Sequence, residues 1–144
     1  RLRDRHRQVG RGLGHRGPAL MRVLYVDDDR VNAILFAEVC RLAGGIELEC
    51  ASSGSEAQGL LAEFVPELLV IDLHLGDTSG ERLLPQLRAA LGASVPAILC
   101  TAESEATGRA AAAAAGFDDC WIKPVDPGML MAELARRAAG RPGP

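Results

Sequence analysis

The sequence has little lysine, few aromatic rings and no long apolar run, and each shortage removes a class of function. Lysine occurs once, at Lys123, against fifteen arginines. Aromatic residues make up 3% of the chain, and no Ser/Thr/Gly-rich phosphate loop follows its first apolar run, which argues against a flavin-binding domain. No apolar stretch approaches the ~18 residues that a membrane span needs. No apolar signal-peptide segment opens the chain either, so the expected location is cytoplasmic. Four cysteines (Cys40, Cys50, Cys100, Cys120) show no CxxC or paired metal spacing and read as reduced structural thiols. There is no internal repeat and no second domain, and 144 residues suffice for one core.

The net charge of -3 hides an asymmetry. Residues 1–20 carry six Arg and one Asp, a net of +5, whereas the remainder carries ten basic and eighteen acidic residues, a net of -8. An acidic body argues against broad nucleic-acid binding. The basic stretch lacks apolar periodicity and is expected to be a disordered leader, with a folded domain over 21–139 and a short tail over 140–144.

What is present from Met21 onward is a regular alternation. Apolar runs at Arg22–Val26, Ile46–Ala51, Leu68–Ile71, Ala97–Cys100 and Cys120–Ile122 read as strands. Between and after them, Arg30–Ala43, Ser53–Phe64, Gly80–Leu91, Glu103–Ala115 and Pro127–Ala139 read as helices. In the first helix Val31, Ile34, Leu35, Ala37, Val39 and Leu42 form the expected apolar side. Pro85 should lie within the early turns of its helix or kink it. Five βα units with continuous apolar strands predict a single α/β domain, a doubly wound parallel sheet covered on both faces.

Open parallel sheets bind ligands at the carboxyl ends of their strands. Asp27, Asp28 and Asp29 follow the first strand, Asp72 the third, Thr101 the fourth and Lys123 the fifth. The second strand ends in Ala51-Ser52 and adds no charge. Carboxylates gathered closely repel one another and call for a cation, and oxygen-only ligands suit Mg2+. A carboxylate such as Asp72 can attack phosphorus, while a hydroxyl at Thr101 and a compact ammonium at Lys123 can hold phosphoryl oxygens. Any one of these residues alone would serve equally as a cap or a solvated charge. Their joint placement is what points to a site.

Taken together, these residues resemble the receiver domains of two-component response regulators, over about residues 21–139. The motifs are VDD at Val26–Asp28, VIDLHLGDTSG at Val70–Gly80, CTA at Cys100–Ala102 and KP at Lys123-Pro124. The resemblance implies a flavodoxin-like (βα)5 fold and a phosphorelay role. Asp72 would accept a phosphoryl group from a histidine kinase or histidine phosphotransfer protein. Asp28, Asp72 and the backbone carbonyl of His74 would ligate Mg2+, with Asp27 assisting through water, and Thr101 and Lys123 would contact the phosphoryl group. Asp29 is expected to start a helix. The stretches DDDRVN and DDCWIKPVD are similar to receivers joined to hybrid sensor kinases. Beyond self-catalysed phosphorylation and hydrolysis no enzyme is expected. The rivals are a pseudo-receiver, which would lack part of this set, and an Asp-nucleophile phosphatase, which would want an acid where His74 stands. Two departures from the family pattern stand out: Gly76 replaces a proline, suggesting a looser loop, and Cys120 replaces an aromatic switch residue.

Overall fold

A computed structural model describes residues 20–141, so the expected leader lies outside the described residues but for Leu20, and the expected tail but for Gly140 and Arg141. Five parallel strands build one sheet: β1 Met21–Val26, β2 Ile46–Ala51, β3 Leu68–Asp72, β4 Ala97–Thr101 and β5 Asp119–Ile122. Their order across the sheet is β2-β1-β3-β4-β5, as expected for a flavodoxin-like domain. The helices are α1 Arg30–Ala43, α2 Gly54–Leu60, α3 Gly80–Leu91, α4 Glu105–Ala115 and α5 Pro127–Ala139. Among the described residues no helix is long and apolar enough to cross a membrane.

The strands are apolar on both faces because both are covered. β3 and β4 are buried at every residue. On one face Leu24, Val26, Leu69, Ile71 and Leu99 pack with Leu60 of α2, Leu83 and Leu87 of α3 and Ala112 of α4. On the other, Val23, Tyr25, Val70, Ile98 and Trp121 pack with Phe36 and Cys40 of α1 and Leu130 and Leu134 of α5. Burial of each such large side chain contributes about 1.5–3 kcal/mol.

Each helix begins at a capping side chain: Asp29, Ser53, Ser79, Ser104 and Asp126 accept first-turn N–H groups. Asp29 is thus the helix-start residue that the sequence suggested. The caps correct three boundaries: Ser53 stands just before α2 rather than within it. Ser104 starts α4 at Glu105 rather than Glu103. α2 stops at Leu60 instead of continuing to Phe64, because Leu61 turns back onto the carbonyls of Gln58 and Gly59. Pro85 does not break α3, which runs on to Leu91. Strands β1 and β5 begin one residue earlier than expected, and β3 and β4 end one residue later.

The larger correction is the phase of α1. Ala33, Phe36, Ala37 and Cys40, spaced i, i+3, i+4 and i+7, form its buried stripe with Val39 at the edge. Val31 (63% exposed), Ile34 (49%), Leu35 (59%) and Leu42 (58%) face outward. A helix apolar nearly all round can dock on either side. Its small residues allow the closer approach to the sheet.

Candidate functional site

The chain leaves β1, runs out to edge strand β2, and returns on β1's other side as the central strand β3. Helices therefore diverge to opposite faces above the ends of β1 and β3, which opens a crevice there. Asp27 and Asp28 follow β1, and Asp72 is the last residue of β3. The three can each offer one carboxylate oxygen, with these atoms all within 4.8 Å of one another.

The three acids differ in surroundings. Asp27 is 2% exposed. Its Oδ1 accepts the Asp29 N–H at 2.9 Å, and its Oδ2 accepts from Tyr25 Oη at 2.7 Å, Lys123 Nζ at 2.7 Å and Asn32 Nδ2 at 3.3 Å. Asp28 is exposed. Asp72 is buried, with Oδ1 accepting the Leu73 N–H at 2.8 Å and Oδ2 lying 3.3 Å from Lys123 Nζ. Lys123 thus bridges two acids from different strands.

Burial pushes the Asp72 carboxyl above the usual range. Lys123 opposes that shift and the Asp27 charge adds to it. Burial alone would lower the Lys123 pKa, but the hydrogen bond and charge of Asp27 and the charge of Asp72 outweigh it and raise the pKa. Lys123 therefore stays an ammonium. Burial, followed by the Asp27 charge, raises the Tyr25 phenol well beyond its ordinary value, so Tyr25 stays protonated and donates.

Thr101 closes β4, fully buried, and its Oγ1 accepts the Glu103 N–H at 3.2 Å. His74 stands on the rim with an exposed side chain, its Nε2 3.2 Å from Glu103 Oε2. The loop between β3 and α3 has its own restraints. Backbone bonds run from Leu75 N to Thr78 O, Asp77 N to Leu75 O and Gly80 N to Leu73 O. Asp77 also accepts the N–H groups of Gly54 and Ser55, which ties the loop to the start of α2 and holds the Asp77 carboxyl below its usual range. Gly76, expected to loosen this loop, instead supplies a φ of 77° within a closed turn, a value proline cannot reach.

Adjacent residues of β5 part company. Cys120 belongs to the face covered by α2, α3 and α4, where its Sγ would lie 3.1 Å from a Cβ at Gly108; Trp121 belongs to the opposite face with Tyr25. The sequence reading passed over Tyr25, Asn32, Asp77 and Glu103. Tyr25 was detectable: residues i and i+2 of a strand share a face, which places its hydroxyl beside Asp27. The link from Asp77 to α2 spans more than twenty residues and has no local signal.

The all-oxygen donor set fits a hard divalent cation such as Mg2+. The profile of the response regulator receiver domain matches residues 23–135. An uncharacterized 14.6 kDa protein of Leptolyngbya boryana is 36% identical over 110 residues, 76% of this chain and 83% of that protein. The phosphate regulon transcriptional regulatory protein PhoB of Rhizobium meliloti is 32% identical over 116 residues, 80% of this chain but 51% of PhoB. The chain thus spans about half the length of that regulator. Among solved structures, a CheY-like response regulator receiver domain protein from Methanospirillum hungatei superposes with a TM-score of 0.73 at 24% identity, covering 84% of this chain and 95% of that one.

Proposed function

The chain belongs to the response regulator receiver domain family, and from that premise we propose that it takes a phosphoryl group onto Asp72 from a phosphohistidine donor. The observation that carries this reading is the position of Asp72: last in β3, beside two further acids, with its Oδ2 3.3 Å from the Lys123 ammonium.

Asp28, Asp72 and the His74 backbone carbonyl would hold Mg2+. Asp27, whose Oδ2 already serves three protein donors, would reach the ion through water. Bound there, Mg2+ offsets the negative charge of the acids and of the incoming phosphoryl oxygens. A carboxylate oxygen of Asp72 attacks phosphorus, the P–N bond to the donor imidazole breaks, and its electron pair stays on that nitrogen. Lys123 shifts toward a phosphoryl oxygen, and the Thr101 hydroxyl donates to another. Water later hydrolyses the acyl phosphate and restores Asp72.

The donor would be a histidine kinase or histidine phosphotransfer protein. The exposed Val31, Ile34 and Leu35 begin two residues past Asp29 and offer it an apolar seat beside the acids, which Leu42 continues at the far end of α1. No observation favours the phosphatase alternative.

The test is acid-labile phosphate after incubation with acetyl phosphate and Mg2+. The protein should gain label, while Asp72→Asn and samples with EDTA should not. Equal labelling of Asp72→Asn overturns the assignment.

A further inference from the structure

We propose that Tyr25 is a positioning residue for phosphoryl transfer: its hydroxyl holds the Asp27 carboxylate when Lys123 leaves it for the phosphoryl group. This rests on the reading of Asp72 as acceptor.

The resting arrangement sets the problem. Lys123 Nζ is closer to Asp27, at 2.7 Å, than to Asp72, at 3.3 Å. A phosphoryl group on Asp72 draws the ammonium away from Asp27, whose side chain has no solvent exposure. A buried carboxylate stripped of a charged donor is costly unless other donors remain. Two remain on Oδ2, and they are unequal: Asn32 Nδ2 at 3.3 Å and Tyr25 Oη at 2.7 Å. Tyr25 is the short one.

Tyr25 is also built to stay in place. Its ring stacks on Phe36 with centroids 4.2 Å apart and planes 10° from parallel. It is 3% exposed, and its backbone is held between β2 and β3. The 2.7 Å contact runs from the Tyr25 hydroxyl to Asp27 Oδ2, and a carboxylate can only accept. Were Tyr25 merely core filling, phenylalanine would serve as well, since the ring and its stacking would be unchanged. The hydroxyl is the only difference, and it points at Asp27.

The experiment compares the wild type with Tyr25→Phe by calorimetric titration, first with Mg2+ and then with beryllofluoride at saturating Mg2+. Melting temperatures serve as a check on packing. The expected result is Mg2+ affinity within about twofold and beryllofluoride affinity weaker by about tenfold, the loss of one hydrogen bond to a charged group. Equal beryllofluoride affinity overturns the proposal, as does an equal loss in both titrations, which would make the hydroxyl part of the metal site. If the wild type itself fails to bind beryllofluoride, the acceptor reading fails first. A second measurement needs no substitution that could disturb folding. Tyr25 is the only tyrosine in the chain, so 3-fluorotyrosine gives one 19F resonance. That resonance should move on adding beryllofluoride to the Mg2+-saturated protein, and a stationary signal counts against the exchange.

Discussion

Gly80 lies against the backbone of Asp72: a Cβ added at Gly80 would sit 2.5 Å from the Asp72 carbonyl oxygen. That separation is below any real van der Waals contact, and the obstacle is backbone, which cannot swing aside. The first helical residue of α3 is glycine because the end of β3 passes directly over it.

Gly80→Ala should therefore destabilise the domain by about 2–3 kcal/mol. It should also slow labelling by acetyl phosphate, since relief of the clash must displace Asp72 or α3. Urea unfolding gives the first quantity and initial labelling rates give the second. An unchanged unfolding midpoint would show that the backbone yields without cost.

Asp72 should oppose folding at neutral pH. Its carboxyl is raised in the folded state, first by burial, with Lys123 pulling the other way and Asp27 adding to the rise. A raised group contributes stability below its unfolded pKa and loses that contribution as pH climbs through the folded value. Once the pH lies above that raised value the group is ionised and the benefit is gone. Asp72→Asn can keep the hydrogen bond from the Leu73 N–H while removing the charge. In metal-free buffer it should melt a few degrees above the wild type at pH 7, and the gap should narrow as the pH falls through the Asp72 carboxyl's raised value. A gap that widens on acidification contradicts this account.

Lys123 threads between Asp27 and Asp72 with a side chain 16% exposed. A planar guanidinium demands a paired, fork-shaped seat, and Asp27 Oδ2 is already shared with Tyr25 and Asn32. Lys123→Arg should keep a melting temperature close to the wild type yet bind beryllofluoride at least tenfold more weakly in the presence of Mg2+. Wild-type affinity in that variant would reduce the lysine to a generic positive charge.

Much of this architecture was legible because it is local. Each strand announced itself as a short apolar run, and Asp29 and Ser53 announced helix starts, so the strand-end position of Asp27, Asp72, Thr101 and Lys123 followed from counting. The phase of α1 was not legible. Val31, Ile34, Leu35 and Leu42 are more hydrophobic than Ala33 and Ala37, yet the smaller pair faces the sheet because it permits closer packing. Tyr25, detectable by its spacing from Asp27, is still easy to pass over: inside the run RVLYV it reads as core, and only the hydroxyl end of its ring belongs to the site. The seat of Asp77 on α2 depends on two loops meeting in space, and neither loop's composition records the other.

The distance along the chain between the partners in this site sets an order in time. Asp27 and Lys123 touch at 2.7 Å but lie 96 residues apart, and β5, which delivers the lysine, pairs among the described residues only with β4. Ribosomes make the acids of β1 and β3 long before they make Lys123. A chain that has emerged only through β4 carries its carboxylates without the ammonium that bridges them. Competence to carry a phosphoryl group would then arrive in one step with the last strand, and an unfinished chain would have no means of answering a kinase early.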